Sequence, residues 1–176
     1  MPPAVIPPTG SQFSFIKMHS PVGPLYLLAS SEHLRCIAFE SNWKTLLDRF
    51  RLTQEDLLFS ESPILSATKQ QLEEYFFAGR RHFSLPMEAI GTSFQLAAWN
   101  ALLQIPYGST ISYSAQATLA GHPSACRAVG NANRLNPLCI VIPCHRVIGH
   151  NGQLSGYAGG PNAKKTLLKI ENPDFS

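Results

Sequence analysis

Between Glu88 and Glu171 the chain carries no aspartate or glutamate, although six lysines or arginines fall in that interval; up to Glu88 there are eight basic and nine acidic residues. An acid-free stretch of that length leaves a surface of one sign, which suits a polyanion such as DNA through phosphate contact and counterion release. The bland alternative is a solvated basic face, and the net charge of +3 is modest. Metal-ligand spacing is missing too. The four cysteines, at 36, 126, 139 and 144, form no Cys-x-x-Cys and meet no paired histidines, so no metal site is expected. No apolar run is long enough to span a bilayer, and the opening Met1-Pro2-Pro3-Ala4-Val5-Ile6-Pro7-Pro8 has neither the basic nor the apolar region of a secretory signal. No membrane association and a reducing, cytoplasmic (or nuclear) setting are expected, where unpaired thiols are ordinary.

What is present supports a core: 44% of the 176 residues are apolar, enough for one domain or two small ones. Residues 1–12 are Pro-rich, lack periodicity and read as a flexible leader. Residues 13–19, 25–30 and 34–39 are short runs of strand formers separated by turn residues, an antiparallel meander. Asn42 can cap a short helix through Arg49, and Ser62-Pro63 opens a longer one that stops at Gly79. Its stripe of Leu65, Leu72, Tyr75 and Phe76 reads as core and not as a ligand surface. After a strand-like Phe83-Ser84-Leu85-Pro86 the charge pattern changes, which places a boundary near residue 87 and gives domains at 13–86 and 87–176.

In the second half, a helix from Thr92 carries Phe94, Ala98, Trp99, Leu102 and Leu103 on one face and ends before Pro106-Tyr107-Gly108. Helices over 112–120 and 124–134 flank Gly121-His122-Pro123, as in a helix-turn-helix. Ser124 is the expected N-cap. The second helix bears Arg127 and Arg134 with small residues between them, Ala128, Gly130, Asn131 and Ala132, which permit close approach to another backbone. Taken alone, the pair reads sooner as one that merely packs.

The segment Leu138-Cys139-Ile140-Val141-Ile142-Pro143-Cys144-His145-Arg146-Val147 reads as a buried strand delivering a thiol to a polar edge. A thiol in apolar surroundings is inert because desolvation disfavours the thiolate. A base at the next position changes that: if His145 takes the Cys144 proton, the pair becomes thiolate and imidazolium. Neighbouring side chains of a strand point apart, so a bridging water or a helical turn at 144–147 is required. Asn136-Pro137 leads in as a turn. Five glycines between Gly149 and Gly160 form a loop without a nucleotide-binding pattern, which can wrap a planar ligand with Tyr157 as a wall. A last helix over 161–171 ends in Glu171. A carboxylate there opposes the helix macrodipole at a cost of roughly 0.3–1 kcal/mol, which orienting His145 would offset, giving a Cys-His-Glu relay. The plain alternative is Glu171 in solvent beside Lys169.

Pro143-Cys144-His145-Arg146-Val147, preceded by Asn136-Pro137 and by Arg127-Ala128-Val129-Gly130-Asn131-Ala132-Asn133-Arg134, resembles the signature of the O6-alkylguanine-DNA alkyltransferases. Phe94 to Trp99, Ile105-Pro106-Tyr107-Gly108, Ser112-Tyr113, Gly156-Tyr157-Ala158-Gly159-Gly160, Lys164 and Leu167-Leu168 extend the likeness. It covers residues 92–171 densely and the first half by general layout. The resemblance implies an α/β (α+β) fold: a small N-terminal antiparallel sheet with helices, ribonuclease H-like, followed by a mainly helical C-terminal domain with a helix-turn-helix that binds DNA and accepts the alkyl group.

It also implies DNA repair by direct damage reversal. O6-alkylguanine is flipped out of double-stranded DNA and its alkyl group passes irreversibly to Cys144, with O4-alkylthymine as a candidate second substrate and no cofactor. His145 would be the base acting through water, Glu171 its holder, Tyr113 the donor to the departing guanine and Asn136 the hinge residue bracing the site. Arg127 would fill the vacated space in the stack, with Ser124, Tyr113, Ala128, Asn131 and Arg134 on the DNA. Pro143, Val147, Tyr157, Ala158 and Gly159 would line the pocket, and a monomer is expected. Ala158 stands where some members have serine, Gln116 and Cys126 where apolar or small residues are usual, and Pro161 opens the last helix. No structural metal is expected, since the zinc ligands of some relatives are not apparent. A thioether has no carbonyl for water to attack, so one turnover per protein follows. A Cys-His-Glu hydrolase and a helix-turn-helix module without chemistry are the alternatives.

Overall fold

A computed structural model describes residues 12–175, and the chain divides into two compact units, Met1–Ile90 and Gly91–Ser176. All but Gln12 of the expected leader lies outside the described residues.

In the first unit the three apolar runs form β1 (Phe13–Met18), β2 (Leu25–Ala29) and β3 (Leu34–Phe39), paired as an antiparallel meander. A fourth strand, β4 (Leu57–Phe59), pairs parallel with β1, giving the order β3-β2-β1-β4. Three apolar residues are too few to show a period of two, which is why sequence pattern did not reveal it. Helix α1 (Trp43–Phe50) follows β3 with Asn42 at its N-cap, but the Asn42 side chain makes no cap bond; its Oδ1 accepts from Phe39 N at 2.9 Å instead. Helix α2 (Pro63–Phe77) starts as expected, with the Ser62 hydroxyl accepting from Leu65 N and Pro63 in the first turn. Leu65, Leu72, Tyr75 and Phe76 are buried, so the stripe is core. The strand-like 83–86 forms no strand: Pro86 has no N–H for a ladder, and only Met87 bridges to Leu34.

The second unit contains α3 (Ser93–Leu102), β5 (Ile111–Ser112), α4 (Tyr113–Leu119), α5 (Cys126–Arg134), β6 (Val147–Ile148) and α6 (Gly160–Glu171). A capping box between Thr92 and Gln95 starts α3, which buries Ala98, Trp99 and Leu102. Leu103 caps the helix and is exposed, leaving the apolar face predicted for it. The indole of Trp99 donates to Ala132 O at 2.9 Å, and Gln116 of α4 exchanges amide hydrogen bonds of 2.9 and 2.7 Å with Asn133 of α5. These bonds join α3, α4 and α5, and the expected helix-turn-helix is α4 and α5. Ala125, not Ser124, occupies the N-cap of α5, and Ala132 is buried against α3 instead of lying on the outer face.

The apolar run before Cys144 is not a straight strand. Ile142 N donates to Leu138 O at 2.8 Å, Val141 N to Cys139 O at 2.9 Å, and Ile140 sits at φ 74°. A β-branched residue in the left-handed region costs on the order of 1–3 kcal/mol, which buried packing must hold. The turn doubles the chain back on itself, and the segment past it arrives against Asn136.

Candidate active site

Cys144–Arg146 forms one turn of 3-10 helix, closed by Arg146 N donating to Pro143 O at 3.0 Å. Of the two arrangements expected at 144–147, a bridging water or a helical turn, the turn is present at 144–146. Val147 then enters β6, which pairs with β5 opposite Ile111. With three residues per turn, Cys144, His145 and Arg146 project in three directions, Cys144 toward Asn136 and the other two to Glu171 from different sides. Asn136 braces the first: its Oδ1 accepts from Leu138 N at 3.0 Å, while Nδ2 donates to Ile142 O at 2.8 Å and to Cys144 Sγ at 3.3 Å.

His145 is wholly buried, and its Nε2 lies 2.7 Å from Glu171 Oε1. Its Nδ1 has no partner among the described residues. Arg146 reaches the same carboxylate twice, Nε to Oε2 at 2.8 Å and Nη2 to Oε1 at 3.0 Å, and donates Nη1 to Ile105 O at 2.7 Å. Gly108 N adds a bond to Oε2 at 3.0 Å. Gly108 is at φ 77°, and a Cβ there would lie 3.0 Å from Glu171 O, so glycine suits this close approach. These four donors meet a carboxylate at the disfavoured end of α6.

Burial pushes Glu171 up, but the bonds and charges of His145 and Arg146 outweigh it and hold the carboxyl at about 2. Burial lowers His145 against the pull of Glu171, so the imidazole is neutral at pH 7 and able to accept a proton. Cys144 is lowered: a Cys139 hydrogen bond leads, burial opposes, and Asn136 and the Lys164 charge assist. Lys164 is fully buried and brought down to about 8 by burial, with Cys144 acting the other way. Its Nζ donates to Ser155 O at 2.9 Å and sits 5.7 Å from the Tyr113 ring centre. The Tyr113 hydroxyl donates to the same carbonyl at 2.8 Å; burial and then the charge of Cys144 raise its pKa. Gly156 is at φ 70°, with a Cβ position 2.8 Å from that hydroxyl, and this loop glycine makes room for it.

The fold thus bonds Cys144 to Asn136 and His145 to Glu171, two pairs joined through the backbone of adjacent residues 144 and 145. Tyr157 is buried, its ring edge-on to His145 at 6.3 Å, while Ala158 and Gly159 are half-buried just ahead of α6 and Pro143 precedes the 3-10 turn. Ser124, Arg127, Ala128, Asn131 and Arg134 are exposed, the last four on the outer face of α5. Sequence reasoning missed Arg146, Lys164, Cys139 and Gly108. A signal existed for the arginine: a cation adjoining a buried Cys-His pair needs an anion, and Glu171 is the only carboxylate between Ala89 and Asn172. For Lys164 the signal was its spacing of three, four and seven residues from Leu167, Leu168 and Glu171, which puts it on the inner face of α6 while Lys165 points out.

A mixed α/β chain with a buried, hydrogen-bonded Cys-His pair and a helix-turn-helix in its second unit is the class that fold and site define. Residues 93–173 match the profile described as 6-O-methylguanine DNA methyltransferase, DNA binding domain, and residues 14–89 that of its ribonuclease-like domain. The chain is 41% identical over 152 residues to the methylated-DNA–protein-cysteine methyltransferase of Methanosarcina acetivorans, covering 86% of this chain and 94% of that one. It is 42% identical over 158 residues to the constitutive methylated-DNA–protein-cysteine methyltransferase of Bacillus subtilis, covering 89% and 93%. Among solved structures, Mycobacterium tuberculosis OGT in complex with DNA superposes with a TM-score of 0.78 at 37% identity, over 92% of this chain and 93% of that one. The chain belongs to the 6-O-methylguanine DNA methyltransferase family, and its first unit is the family's ribonuclease-like domain.

Proposed function

We propose that the protein repairs DNA by taking the alkyl group of O6-alkylguanine onto Cys144, once per molecule. The observation that carries this reading is the Asn136-Cys144 and His145-Glu171 cluster, which combines a lowered thiol with a neutral buried imidazole. A target atom inside a duplex cannot reach a buried sulfur, so the nucleotide is rotated out. Arg127, long and exposed among small residues on α5, fills the space left in the stack, and Arg134, Asn131, Ala128 and Ser124 meet the DNA beside it. Pro143, Val147, Tyr157, Ala158 and Gly159 enclose the purine.

The Cys144 proton passes through a water to His145 Nδ1, and Glu171 on Nε2 stabilises the imidazolium that forms. The thiolate attacks the alkyl carbon, a C–S bond forms, and the C–O6 bond breaks with its electron pair going to guanine. Tyr113 turns its hydroxyl from Ser155 O toward the purine and gives a hydrogen bond to the departing base, which ends by holding the proton that Cys144 gave up. The alkyl carbon of a neutral thioether is unactivated even toward a neighbouring thiol, so the protein is spent after one transfer, without a cofactor; it acts as a monomer. O4-alkylthymine presents the same alkyl-oxygen bond and is a candidate second substrate. No described helix is long and apolar enough to cross a membrane.

Intact mass after incubation with duplex DNA containing O6-methylguanine is the test. A gain of one methyl group is expected for the protein and none for Cys144→Ala; no gain in either overturns the reading.

A further inference from the structure

Cys139 has no part in the steps above, yet it is fully buried and bonded to the residue that braces Cys144. The tight turn at Ile140 and Val141 brings Cys139 into a bridge with Ile142, whose carbonyl accepts from both Asn136 Nδ2 at 2.8 Å and Cys144 N at 2.9 Å. The Cys139 thiol donates to Asn136 O at 3.5 Å, while the amide of that same asparagine donates to Cys144 Sγ at 3.3 Å. Two thiols thus flank one residue, one on its main chain and one on its side chain.

An S–H has a single proton to donate and rotates about its C–S bond, so it points to whichever neighbour is the stronger acceptor. While Cys144 is a thiol, that is the Asn136 carbonyl. Once Cys144 ionises, it is the sulfur, because hydrogen bonds to a charged acceptor are roughly twice as strong as those between neutral groups.

We infer that Cys139 is a positioning residue for alkyl transfer, its S–H turning from Asn136 O to Cys144 Sγ as the thiolate forms and supplying a second donor beside the Asn136 amide. No covalent change occurs at Cys139. After transfer the thioether is a weak acceptor and the S–H returns to the carbonyl. The lowering of Cys144, in which the Cys139 hydrogen bond is the largest influence, agrees with this arrangement. The inference rests on the alkyl-transfer reading for its kinetic consequence, but the donor itself can be detected without substrate.

The test compares the unaltered protein with Cys139→Ala and Cys139→Ser, with folding checked by circular dichroism. Two curves are recorded against pH: the methyl-transfer rate from O6-methylguanine DNA, and the ultraviolet thiolate absorbance of Cys144, taken as the difference from the same protein carrying Cys144→Ala. In Cys139→Ala both curves move to higher pH and transfer at neutral pH slows roughly three- to tenfold, the loss of one charge-assisted donor partly offset by a more nucleophilic sulfur. Cys139→Ser, which keeps a donor, restores most of both. Curves for Cys139→Ala that superimpose on the unaltered protein overturn the inference, as does an equal displacement in Cys139→Ser, since packing alone would then account for it. If Cys139→Ala does not fold, Cys139→Val replaces it under the same comparison. Failure of the unaltered protein to accept methyl overturns the proposed function, while the absorbance curves still decide whether Cys139 is a donor.

Discussion

Glu171 concentrates the energetics of the site. It is a buried carboxylate met by His145, both arms of Arg146 and the Gly108 amide. Glu171→Gln keeps the shape but leaves the buried Arg146 guanidinium without its anion. Removing one partner of such a pair costs about 3–5 kcal/mol, so the melting temperature falls clearly. Alkyl transfer also slows, because the imidazolium loses its counter-charge. Arg146→Met should destabilise to a similar degree through the same carboxylate. A loss below about 1 kcal/mol by denaturant titration of either variant contradicts the buried-pair account.

The pH dependence follows from two depressed groups. Glu171 stands at about 2 in the folded chain against an ordinary 4.5, so its stabilisation is complete above 4.5 and is lost as pH falls from 4.5 toward 2. His145 is lowered from 6.5, which means that folding favours its neutral form and stability declines already as pH drops below 6.5. Thermal melts between neutral and acidic pH should show a decline beginning near the upper value and steepening below the lower one. In Glu171→Gln the steep lower part should shrink, and an unchanged curve there counts against the carboxylate as its source.

At the scale of elements, α4 and α5 are tied by a buried amide pair and not by apolar packing alone. Gln116 Nε2 donates to Asn133 Oδ1 and to Ala98 O, and Gln116 Oε1 accepts from Asn133 Nδ2. Gln116→Leu strands the Asn133 amide in the core at a cost of about 1–3 kcal/mol, whereas the double change Gln116→Leu with Asn133→Leu removes both partners and should recover much of that loss. Additive losses in a double-mutant cycle would show that the two amides are not coupled.

The helix pair was legible because Gly121-His122-Pro123 breaks a helical pattern, and the pairing of His145 with Glu171 because His145 adjoins Cys144 and Glu171 ends an acid-free interval. Other features were hidden for physical reasons. The left-handed turn at Ile140 runs against the preference of a β-branched residue, so local propensity pointed to a strand. Ser124 looked like a cap, but the helix begins two residues later behind Ala125. Strand β4 owes its existence to pairing with β1, which is non-local, and the burial of Ala132 depends on α3.

For the whole molecule, the acid-free interval divides once the structure is in hand. Of its six cations, Arg146 and Lys164 are buried at the site, while Arg127, Arg134, Lys165 and Lys169 are exposed. The charge asymmetry first attributed to a DNA surface is therefore partly internal, serving Glu171 and the acceptor. If the second unit's exposed cations make the phosphate contacts, the slope of log affinity against log salt for duplex DNA is no steeper than about −4. A much steeper slope would require contacts from other parts of the chain.

The central claim is that one sulfur accepts one alkyl group and is not regenerated. Incubation of a known amount of protein with excess O6-methylguanine duplex, followed by counting the guanine restored and mapping the methylated peptide, measures this directly. The account predicts a plateau at one guanine per protein, with the methyl on Cys144. Guanine released beyond one equivalent, or a methyl group found on another residue, contradicts it.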